Sequence, residues 1–351
     1  MKIKQYIQLF LFATISFLYP LTSKATGKSK TNHPYLCLID SPDIKSGGIE
    51  MVNIATTKGT FKVWTKRIGN NPKKKLLLLA GGPGLSHEYM ECFESFIPKE
   101  GIELIYYDIL GTGYSENPKD TALWDLPRYV EELEIVRKTL KLDSSNLYIL
   151  GHSWGGILGI EYALKYPKNL KGLIISNMMV SAKLYAKYAT DVLSKDFDPK
   201  ALARVREIES KGDFENPEYM NLLIPNFYAK HICRIPPEEW PNTLLRSVGS
   251  SNNSLYVTMQ GPSEFGISGK LINWDRSKDL RKITIPTLVI GAKYDTMDPT
   301  HMQWMATQLK QGEFLYCPNG SHLSMYDDQQ NYMTGVIKFI KESNNKNKLK
   351  K

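Results

Sequence analysis

The feature that most constrains the fold of this chain is the pentapeptide Gly151-His152-Ser153-Trp154-Gly155. A short apolar run at residues 146–150, typical of a buried strand, leads into it, and residues 157–164 after it are typical of a helix. A serine on so sharp a strand-to-helix turn presents its hydroxyl clear of the sheet, which requires very small residues two positions away on either side. The sequence therefore predicts a nucleophile elbow, with Ser153 as the nucleophile of a hydrolase.

Two polar residues follow later strand-like segments in the order that a Ser-acid-His triad requires in this type of fold. Asp295 comes after the apolar segment 283–291, and His322 comes after the segment 313–317. Ligands bind beyond the carboxyl ends of parallel strands, so we expect both side chains near Ser153. Taken alone, Asp295 is typical of a helix cap and His322 of a polar loop. Together with Ser153 they predict a catalytic triad, in which His322 takes the serine proton and Asp295 orients the imidazole.

A glycine-rich loop, Gly81-Gly82-Pro83-Gly84, follows the first long apolar strand at residues 75–80. Glycines allow backbone N–H groups to approach a substrate oxygen closely, as stabilisation of a tetrahedral intermediate requires. The N–H of Trp154, directly after the nucleophile, is the other expected donor. The pattern predicts an oxyanion hole between this loop and the elbow.

Several motifs together resemble those of the proline iminopeptidases, α/β-hydrolase exopeptidases that release an N-terminal residue, often proline. The motifs are Gly81-Gly82-Pro83-Gly84, Ser86-His87-Glu88-Tyr89, Tyr107-Asp108-Ile109-Leu110-Gly111-Thr112-Gly113-Tyr114-Ser115 and Gly151-His152-Ser153-Trp154-Gly155-Gly156. A further segment, Met259-Gln260-Gly261-Pro262-Ser263-Glu264-Phe265, is similar to one in the branch that includes tricorn-interacting aminopeptidases and amino-acid amidases. The resemblance extends over residues 51–340.

This resemblance implies roles for four residues around the nucleophile. Gly82 and Trp154 would supply the oxyanion N–H groups, and Gly81 would form part of the substrate site. Glu264 would hold the α-ammonium group of the substrate. A carboxylate beside the nucleophile pairs that cation, so it selects a free amino terminus and rejects an internal peptide bond.

Two positions depart from the family pattern. Ala80 stands where the family usually has a histidine, and Thr296 stands where the tricorn-interacting relatives have a second glutamate. With one ammonium-binding carboxylate missing, the resemblance leaves both aminopeptidase and amidase specificity open. Asp298 is an alternative carboxylate, both as the acid of the triad and as a replacement for the missing glutamate, but Asp298-Pro299 is typical of a helix N-cap.

The distribution of strand-like and helical segments predicts one α/β-hydrolase core interrupted by a cap. Strands and helices alternate in residues 48–180 and 269–343, which predicts a mostly parallel central sheet with helices on both faces. Residues 181–268 are helical, rich in aromatic residues and poor in strands, so they predict an inserted helical cap over the ligand edge of the sheet. We expect most of its aromatic side chains to form the core of the cap, and His231 to be structural or to line the pocket.

The N-terminus has the pattern of a secretory signal peptide. Lys2 and Lys4 precede an apolar run at residues 7–21, and Ser23-Lys24-Ala25 offers a small-residue cleavage site. Residues 1–25 are therefore predicted to be removed, leaving a linker at residues 26–47 and an exported protein, periplasmic or secreted. An uncleaved anchor is the alternative. No other segment is apolar enough to span a bilayer.

Charge and cysteine content suggest neither a nucleic-acid partner nor a cofactor. The net charge is +9, and much of the excess lies in the Lys-rich C-terminal segment, where residues 344–351 are predicted to be a solvated tail. No nucleic-acid-binding motif accompanies the basic residues. The four cysteines are too scattered for a metal site, and the oxidising compartment would permit disulfides without indicating a pairing: Cys37, Cys92, Cys233 and Cys317.

The leading hypothesis is a serine exopeptidase that cleaves peptides or aminoacyl amides with a free N-terminus through an acyl-enzyme. An amino-acid amidase or esterase with the same triad is the alternative among enzymes. A non-catalytic binding module on a hydrolase scaffold is the alternative hypothesis from another functional class. Dehalogenase and epoxide-hydrolase chemistry require an aspartate nucleophile, whereas position 153 is serine. The sequence leaves the oligomeric state open.

Overall fold

The computed structural model describes residues 48–214 and 216–346, which are built around an eight-stranded sheet. Its order is β1-β2-β4-β3-β5-β6-β7-β8. The pairs β1–β2 and β2–β4 are antiparallel, and every pair from β4 to β8 is parallel. The strands are β1 (Gly48–Thr56), β2 (Gly59–Ile68), β3 (Lys75–Leu79), β4 (Glu103–Tyr107), β5 (Leu147–His152), β6 (Gly172–Ser176), β7 (Thr287–Ala292) and β8 (Gly312–Cys317).

Helices connect the strands and cover the sheet. The α-helices are α1 (Leu126–Thr139), α2 (Trp154–Lys165), α3 (Ala182–Asp191), α4 (Pro199–Lys211), α5 (Pro217–Leu223), α6 (Asn242–Gly249), α7 (Asn253–Met259), α8 (Pro299–Gln308), α9 (Ser324–Asp327) and α10 (Gln329–Lys346). A π-helix, Ile224–Ile232, continues α5, and a 3₁₀ segment, His87–Ser95, follows β3.

The central strands are apolar throughout because both faces of the sheet are buried. Consecutive residues of β3 alternate between two hydrophobic clusters: Leu77 and Leu79 belong to one, Leu76 and Leu78 to the other. The first cluster includes side chains of α1, α2 and α8, and the second includes side chains of the 3₁₀ segment and α10. These two layers hold the sheet rigidly, so the ends of its strands can position a site.

The chain between β6 and β7 forms no strand in residues 177–214 and 216–286. Its helices enclose a third hydrophobic cluster, which includes Phe197, Val205 and Phe227. A single β-bridge between Ser181 and Asp275 joins the two ends of this insertion. We refer to residues 181–268 as the cap, and this division of the chain into domains stays a prediction.

Part of the predicted organisation lies outside the described residues. This applies to the signal peptide at residues 1–25, the linker at 26–47, Cys37 and the last five residues of the predicted tail, while α10 extends to Lys346. Cys92, Cys233 and Cys317 are free thiols. Within the part of the chain that the structure describes, no helix is both long enough and apolar enough to cross a bilayer.

Candidate active site

Ser153 occupies the tight turn between β5 and α2. Its backbone is strained, with a positive φ of +53° and ψ −125°. The turn leaves no space for side chains on either flank: a Cβ on Gly151 would lie 2.0 Å from the carbonyl oxygen of Gly155, and one on Gly155 would lie 2.2 Å from that of Leu79. Glycine is therefore required at both positions, and the predicted strand–turn–helix geometry is present around Ser153.

Asp295 and His322 meet at the carboxyl ends of β7 and β8. Their Oδ1 and Nδ1 atoms are 2.8 Å apart, and both side chains are buried. The N–H of Met297 also donates to Asp295 Oδ1, at 3.1 Å. Asp298, the alternative acid, instead caps α8 by accepting the N–H of Thr300. The geometry thus pairs His322 with Asp295 and leaves Asp298 in the role of an N-cap.

The carboxylate of Asp295 sets the charge behaviour of His322. Burial disfavours the imidazolium, but the charge of Asp295 and its hydrogen bond outweigh that penalty, so the pKa of His322 lies above its ordinary value. The hydroxyl of Thr296 is 3.2 Å from His322 Nδ1, so this side chain lies against the Asp–His pair rather than in the cavity. The imidazolium that forms when His322 accepts a proton is therefore stabilised by Asp295.

Asn177 is a site residue that the sequence analysis missed. It directly follows β6 with φ +52° and is fully buried. Its Nδ2 donates to Asp295 Oδ2 at 2.7 Å, and also to Ser324 Oγ and to the carbonyl oxygen of Ser321. Asn177 thus fixes the carboxylate on the side opposite His322. An amide residue at the end of a buried strand, on the same edge as Ser153, was the signal that could have identified it.

Cap residues also hold the loop that carries His322. The N–H of His322 donates to the carbonyl oxygen of His231 at 2.9 Å, and the N–H of Leu323 donates to that of Ile232 at 2.8 Å. The ring of His231 is buried, and its Nδ1 is 3.0 Å from the carbonyl oxygen of Tyr294. His231 therefore connects the cap to two loops of the core.

The glycine loop after β3 passes directly over Ser153. A Cβ on Gly81 would lie 3.0 Å from the Cβ of Ser153. The N–H of Gly81 is engaged by the hydroxyl of Tyr89 at 2.7 Å, and Gly82 follows with φ +105°. Trp154 begins α2, where backbone N–H groups have no partner within the helix. The two predicted oxyanion donors, Gly82 and Trp154, therefore belong to segments that adjoin the serine from two sides.

A cavity of about 260 Å³ opens beside the nucleophile, and its lining includes Gly81, Gly82, Ser153, Glu264 and His322. Its remaining wall is mainly apolar and comes largely from the cap: Met220, Ile224, Tyr228, Ile232, Trp240, Leu244, Val248, Tyr256 and Pro262. The π-helix contributes three of these side chains at a spacing of four residues, which places them on one face. The cavity thus combines a nucleophile, a carboxylate and an apolar wall.

Tyrosine hydroxyls surround Glu264. Its Oε1 accepts the hydroxyl of Tyr256 at 2.7 Å, while the hydroxyl of Tyr185 donates to the backbone carbonyl oxygen of Glu264 and lies 3.4 Å from Oε2. The N–H of Glu264 donates to the hydroxyl of Tyr228, also at 3.4 Å. The sequence analysis identified Glu264 but expected cap aromatics to be mainly core, and it missed Tyr256. These contacts hold the carboxylate in one orientation beside the cavity.

The cap is hydrogen-bonded to the glycine loop. The N–H of Asn252 donates to the carbonyl oxygen of Gly84 at 3.0 Å, and a Cβ on Gly84 would lie 2.8 Å from the carbonyl oxygen of Asn252. The hydroxyl of Ser247 donates to the carbonyl oxygen of Ser86 at 3.0 Å. Arg246 adds ion pairs with Glu88 and Glu91 on the following 3₁₀ segment. The cap and the oxyanion loop therefore adjoin without a gap.

No cluster of three or more histidine, cysteine, aspartate or glutamate side chains is arranged to hold a metal ion in residues 48–214 and 216–346. The polar side chains that line the cavity are those of Ser153, His322, His152 and Glu264, together with nearby tyrosine, tryptophan, serine and asparagine residues. This set suits acyl transfer by an activated hydroxyl.

Comparison with known proteins shows the family of this chain. The family described as alpha/beta hydrolase fold matches residues 74–329. A proline iminopeptidase of Flavobacterium johnsoniae is 57% identical over 294 residues, covering 84% of this chain and 98% of the relative. One from Elizabethkingia meningoseptica is 56% identical over 298 residues, covering 84% and 99%. The crystal structure of the Mycobacterium smegmatis proline iminopeptidase superposes with a TM-score of 0.73 at 26% identity, covering 84% of this chain and 98% of that one.

The matches confirm both the predicted fold class and the resemblance based on the glycine loop, the elbow and the segment around Glu264. The alignments cover nearly the whole of each relative, so the similarity is not limited to a shared core. The chain therefore belongs to the α/β-hydrolase fold family and, within it, to the proline iminopeptidases.

Proposed function

We propose that this protein is a serine exopeptidase that releases an N-terminal proline, or another apolar N-terminal residue, from short peptides. The observation that carries the proposal is one small cavity lined by Ser153, His322 and the carboxylate of Glu264. The names of the relatives that are 54–57% identical support the same activity.

In the proposed acylation step, Ser153 Oγ attacks the carbonyl carbon of the N-terminal residue while His322 accepts the serine proton. Asp295, held by Asn177, stabilises the imidazolium that forms. Collapse of the tetrahedral intermediate breaks the C–N bond, and His322 passes its proton to the departing amine. This leaves the N-terminal residue as an ester on Ser153.

Deacylation reverses the roles of the same groups. Water attacks the ester carbonyl while His322 accepts one of its protons, and the proton then returns to Ser153 as the free amino acid leaves. In both steps the oxyanion would be stabilised by the N–H groups of Gly82 and Trp154, whose segments adjoin the serine.

Glu264 would select the free N-terminus. A substrate whose carbonyl carbon lies at Ser153 carries its α-ammonium or imino group two bonds from that carbon, within the same cavity that Glu264 lines. The Glu264 carboxylate forms an ion pair with this cation, whereas a substrate bound at an internal peptide bond has no cation there and would leave the carboxylate unpaired. The apolar cap wall suits an uncharged first side chain, and a volume of about 260 Å³ favours short substrates.

An amino-acid amidase or esterase is the second candidate, favoured by the charge of the cavity. Glu264 is the one carboxylate among the lining residues that the structure describes, and Thr296 replaces the second glutamate found in tricorn-interacting relatives. A single carboxylate binds the ammonium group less tightly, so substrates without a free amine, such as simple acyl esters, would be rejected less strongly.

We also propose that the protein is exported. The basic start, the apolar run at residues 7–21 and Ser23-Lys24-Ala25 support removal of residues 1–25. N-terminal sequencing of protein recovered from each cell fraction tests this, because an intact Met1 on cytosolic protein would contradict it.

Hydrolysis of a substrate panel by the purified mature chain tests the activity. Prolyl and other aminoacyl arylamides, the corresponding amides and simple acyl esters would be compared, with Ser153→Ala as the inactive control. Preference for prolyl arylamides supports the exopeptidase, and preference for amides or esters supports the second candidate. Equal rates for the wild type and Ser153→Ala would contradict both.

A further inference from the structure

His152, the residue before the nucleophile, contacts two different loops through its two ring nitrogens. Nε2 is 2.8 Å from the carbonyl oxygen of His322, and Nδ1 is 2.9 Å from the hydroxyl of Tyr89. A carbonyl oxygen can only accept a hydrogen bond, so Nε2 carries the proton. Nδ1 of the neutral ring then accepts the hydroxyl proton of Tyr89.

The chain of hydrogen bonds continues to the oxyanion loop. The hydroxyl of Tyr89 donates a hydrogen bond to His152 and accepts one from the N–H of Gly81 at 2.7 Å. The result is an unbroken path from Gly81 through Tyr89 and His152 to His322. Both intermediate side chains are buried, with exposed fractions of 0% for Tyr89 and 2% for His152. Losing either one would leave a buried polar group without its partner.

Both side chains of this path, His152 and Tyr89, are neutral near pH 7. Burial, together with the charge of His322, lowers the pKa of His152 to about 3. Burial raises the pKa of the Tyr89 hydroxyl above its ordinary value. Each group therefore keeps the protonation state that the path requires.

The path joins two loops that the sheet alone does not connect. The oxyanion loop follows β3 and the His322 loop follows β8, and β5, β6 and β7 lie between these strands. Efficient catalysis requires both loops to be placed accurately relative to the same serine, since a misplacement of about 1 Å can cost about 100-fold in rate.

We propose that His152 and Tyr89 are positioning residues that set the separation of the oxyanion loop and the His322 loop across Ser153. They act through the backbone of Gly81 and that of His322. The proposal rests on the proposed function in taking these loops to be the catalytic ones. It adds that the residue before the nucleophile is part of the catalytic arrangement and not only of the turn.

Three substitutions separate this role from simple packing. His152→Leu fills a similar volume with an apolar side chain and loses both hydrogen bonds, whereas His152→Gln retains one donor and one acceptor. Tyr89→Phe removes only the hydroxyl between the two loops. The matched control is Tyr148→Phe, which removes another fully buried tyrosine hydroxyl, one that contacts Ser343 Oγ at 2.9 Å.

The experiment measures kcat and KM on a prolyl arylamide, the rate at which a fluorophosphonate labels Ser153, and Tm. For His152→Leu we expect kcat and the labelling rate to fall about 10- to 100-fold while KM changes less than about threefold. His152→Gln should recover most of the loss. Tyr89→Phe should slow labelling about tenfold alone and by less than about twofold when added to His152→Leu, because both remove the same path. Tyr148→Phe should lower Tm and leave both rates unchanged.

Three results would overturn the proposal: a normal labelling rate in His152→Leu, additive effects of the two substitutions, or rate losses in Tyr148→Phe equal to those in Tyr89→Phe. Labelling by a fluorophosphonate does not require a substrate amine. A wild-type protein that is labelled but cleaves no aminoacyl arylamide would therefore contradict the proposed exopeptidase, while the labelling rates would still decide the positioning role.

Discussion

Replacing Glu264 with glutamine tests whether its charge selects the free N-terminus. The carboxylate accepts a hydrogen bond from Tyr256 at 2.7 Å, and the Tyr185 hydroxyl, which donates to the Glu264 carbonyl oxygen, lies 3.4 Å from it. The glutamine side chain has nearly the same shape, and its amide oxygen can still accept the Tyr256 hydroxyl. Glu264→Gln therefore removes the negative charge while keeping most of the packing.

The expected loss follows from the environment of the ion pair. Removing one partner of a desolvated charge pair costs about 2–4 kcal/mol, which corresponds to roughly 30- to 900-fold in kcat/KM. Glu264 is only half-buried, so solvent screens part of its attraction for the substrate cation. We therefore expect a loss near the lower end, about 30-fold, for a prolyl arylamide.

The assay compares kcat/KM for a prolyl arylamide with that for a simple acyl ester, which carries no amine. The ester rate should stay within about threefold of the wild type, since no ion pair is lost. Glu209→Gln is the matched control, because this cap carboxylate accepts the hydroxyl of Tyr219 at 2.7 Å but lies outside the cavity. It should leave both rates unchanged. Equal losses on the two substrates in Glu264→Gln would refute the assigned role.

Three further outcomes are expected. Asp295→Asn should lower kcat by about 10³- to 10⁴-fold and Asp298→Asn by less than about threefold, and kinetics showing the reverse order would exchange their roles. On acidification kcat/KM should fall as His322 becomes protonated, with a midpoint above the ordinary histidine pKa of about 6.5. In Asp295→Asn the residual activity should fall at a lower pH, because the charge that raises the pKa of His322 is gone. In urea unfolding, Gly151→Ala should lower the free energy of unfolding by about 3 kcal/mol or more, since its Cβ would lie 2.0 Å from a carbonyl oxygen. Gly159→Ala should change that free energy by less than about 1 kcal/mol, because its Cβ would meet only methyl groups, of Leu173 at 3.2 Å and of Ile149 at 3.8 Å. Comparable losses in the two variants would contradict the steric account of the elbow.

The parts of the site that were predicted from the sequence are those governed by local pattern. An apolar strand followed by a polar loop marks Asp295 and His322, and the spacing of two glycines marks Ser153. The same logic predicted the central strands, which are apolar throughout because both faces are covered. The end of β2 depends instead on pairing, because its residues 65–68 are held by β4.

The parts that were missed depend on contacts between segments far apart in the chain. Asn177 reaches Asp295 across 118 positions, and His152 reaches His322 across 170. Sequence periodicity does not predict such contacts, since a buried amide or imidazole can hydrogen-bond to many different partners. The π-helix was also missed: Ile224, Tyr228 and Ile232 line the cavity at a spacing of four residues, which an α-helix would also place on one face, so the sequence pattern does not distinguish the two kinds of helix.

The hydrogen bonds from the cap to the glycine loop have a consequence for changing substrate preference by exchanging caps. Asn252 and Ser247 bind the carbonyl oxygens of Gly84 and Ser86, within four residues of Gly82. A foreign cap that lacked the Ser247 hydroxyl, or that placed its backbone N–H differently from that of Asn252, would alter the loop that stabilises the oxyanion along with the pocket wall. Chimeric enzymes in this family should therefore inherit the cap and residues 81–91 as one module, and variants selected for a new specificity should accumulate compensating changes at that junction.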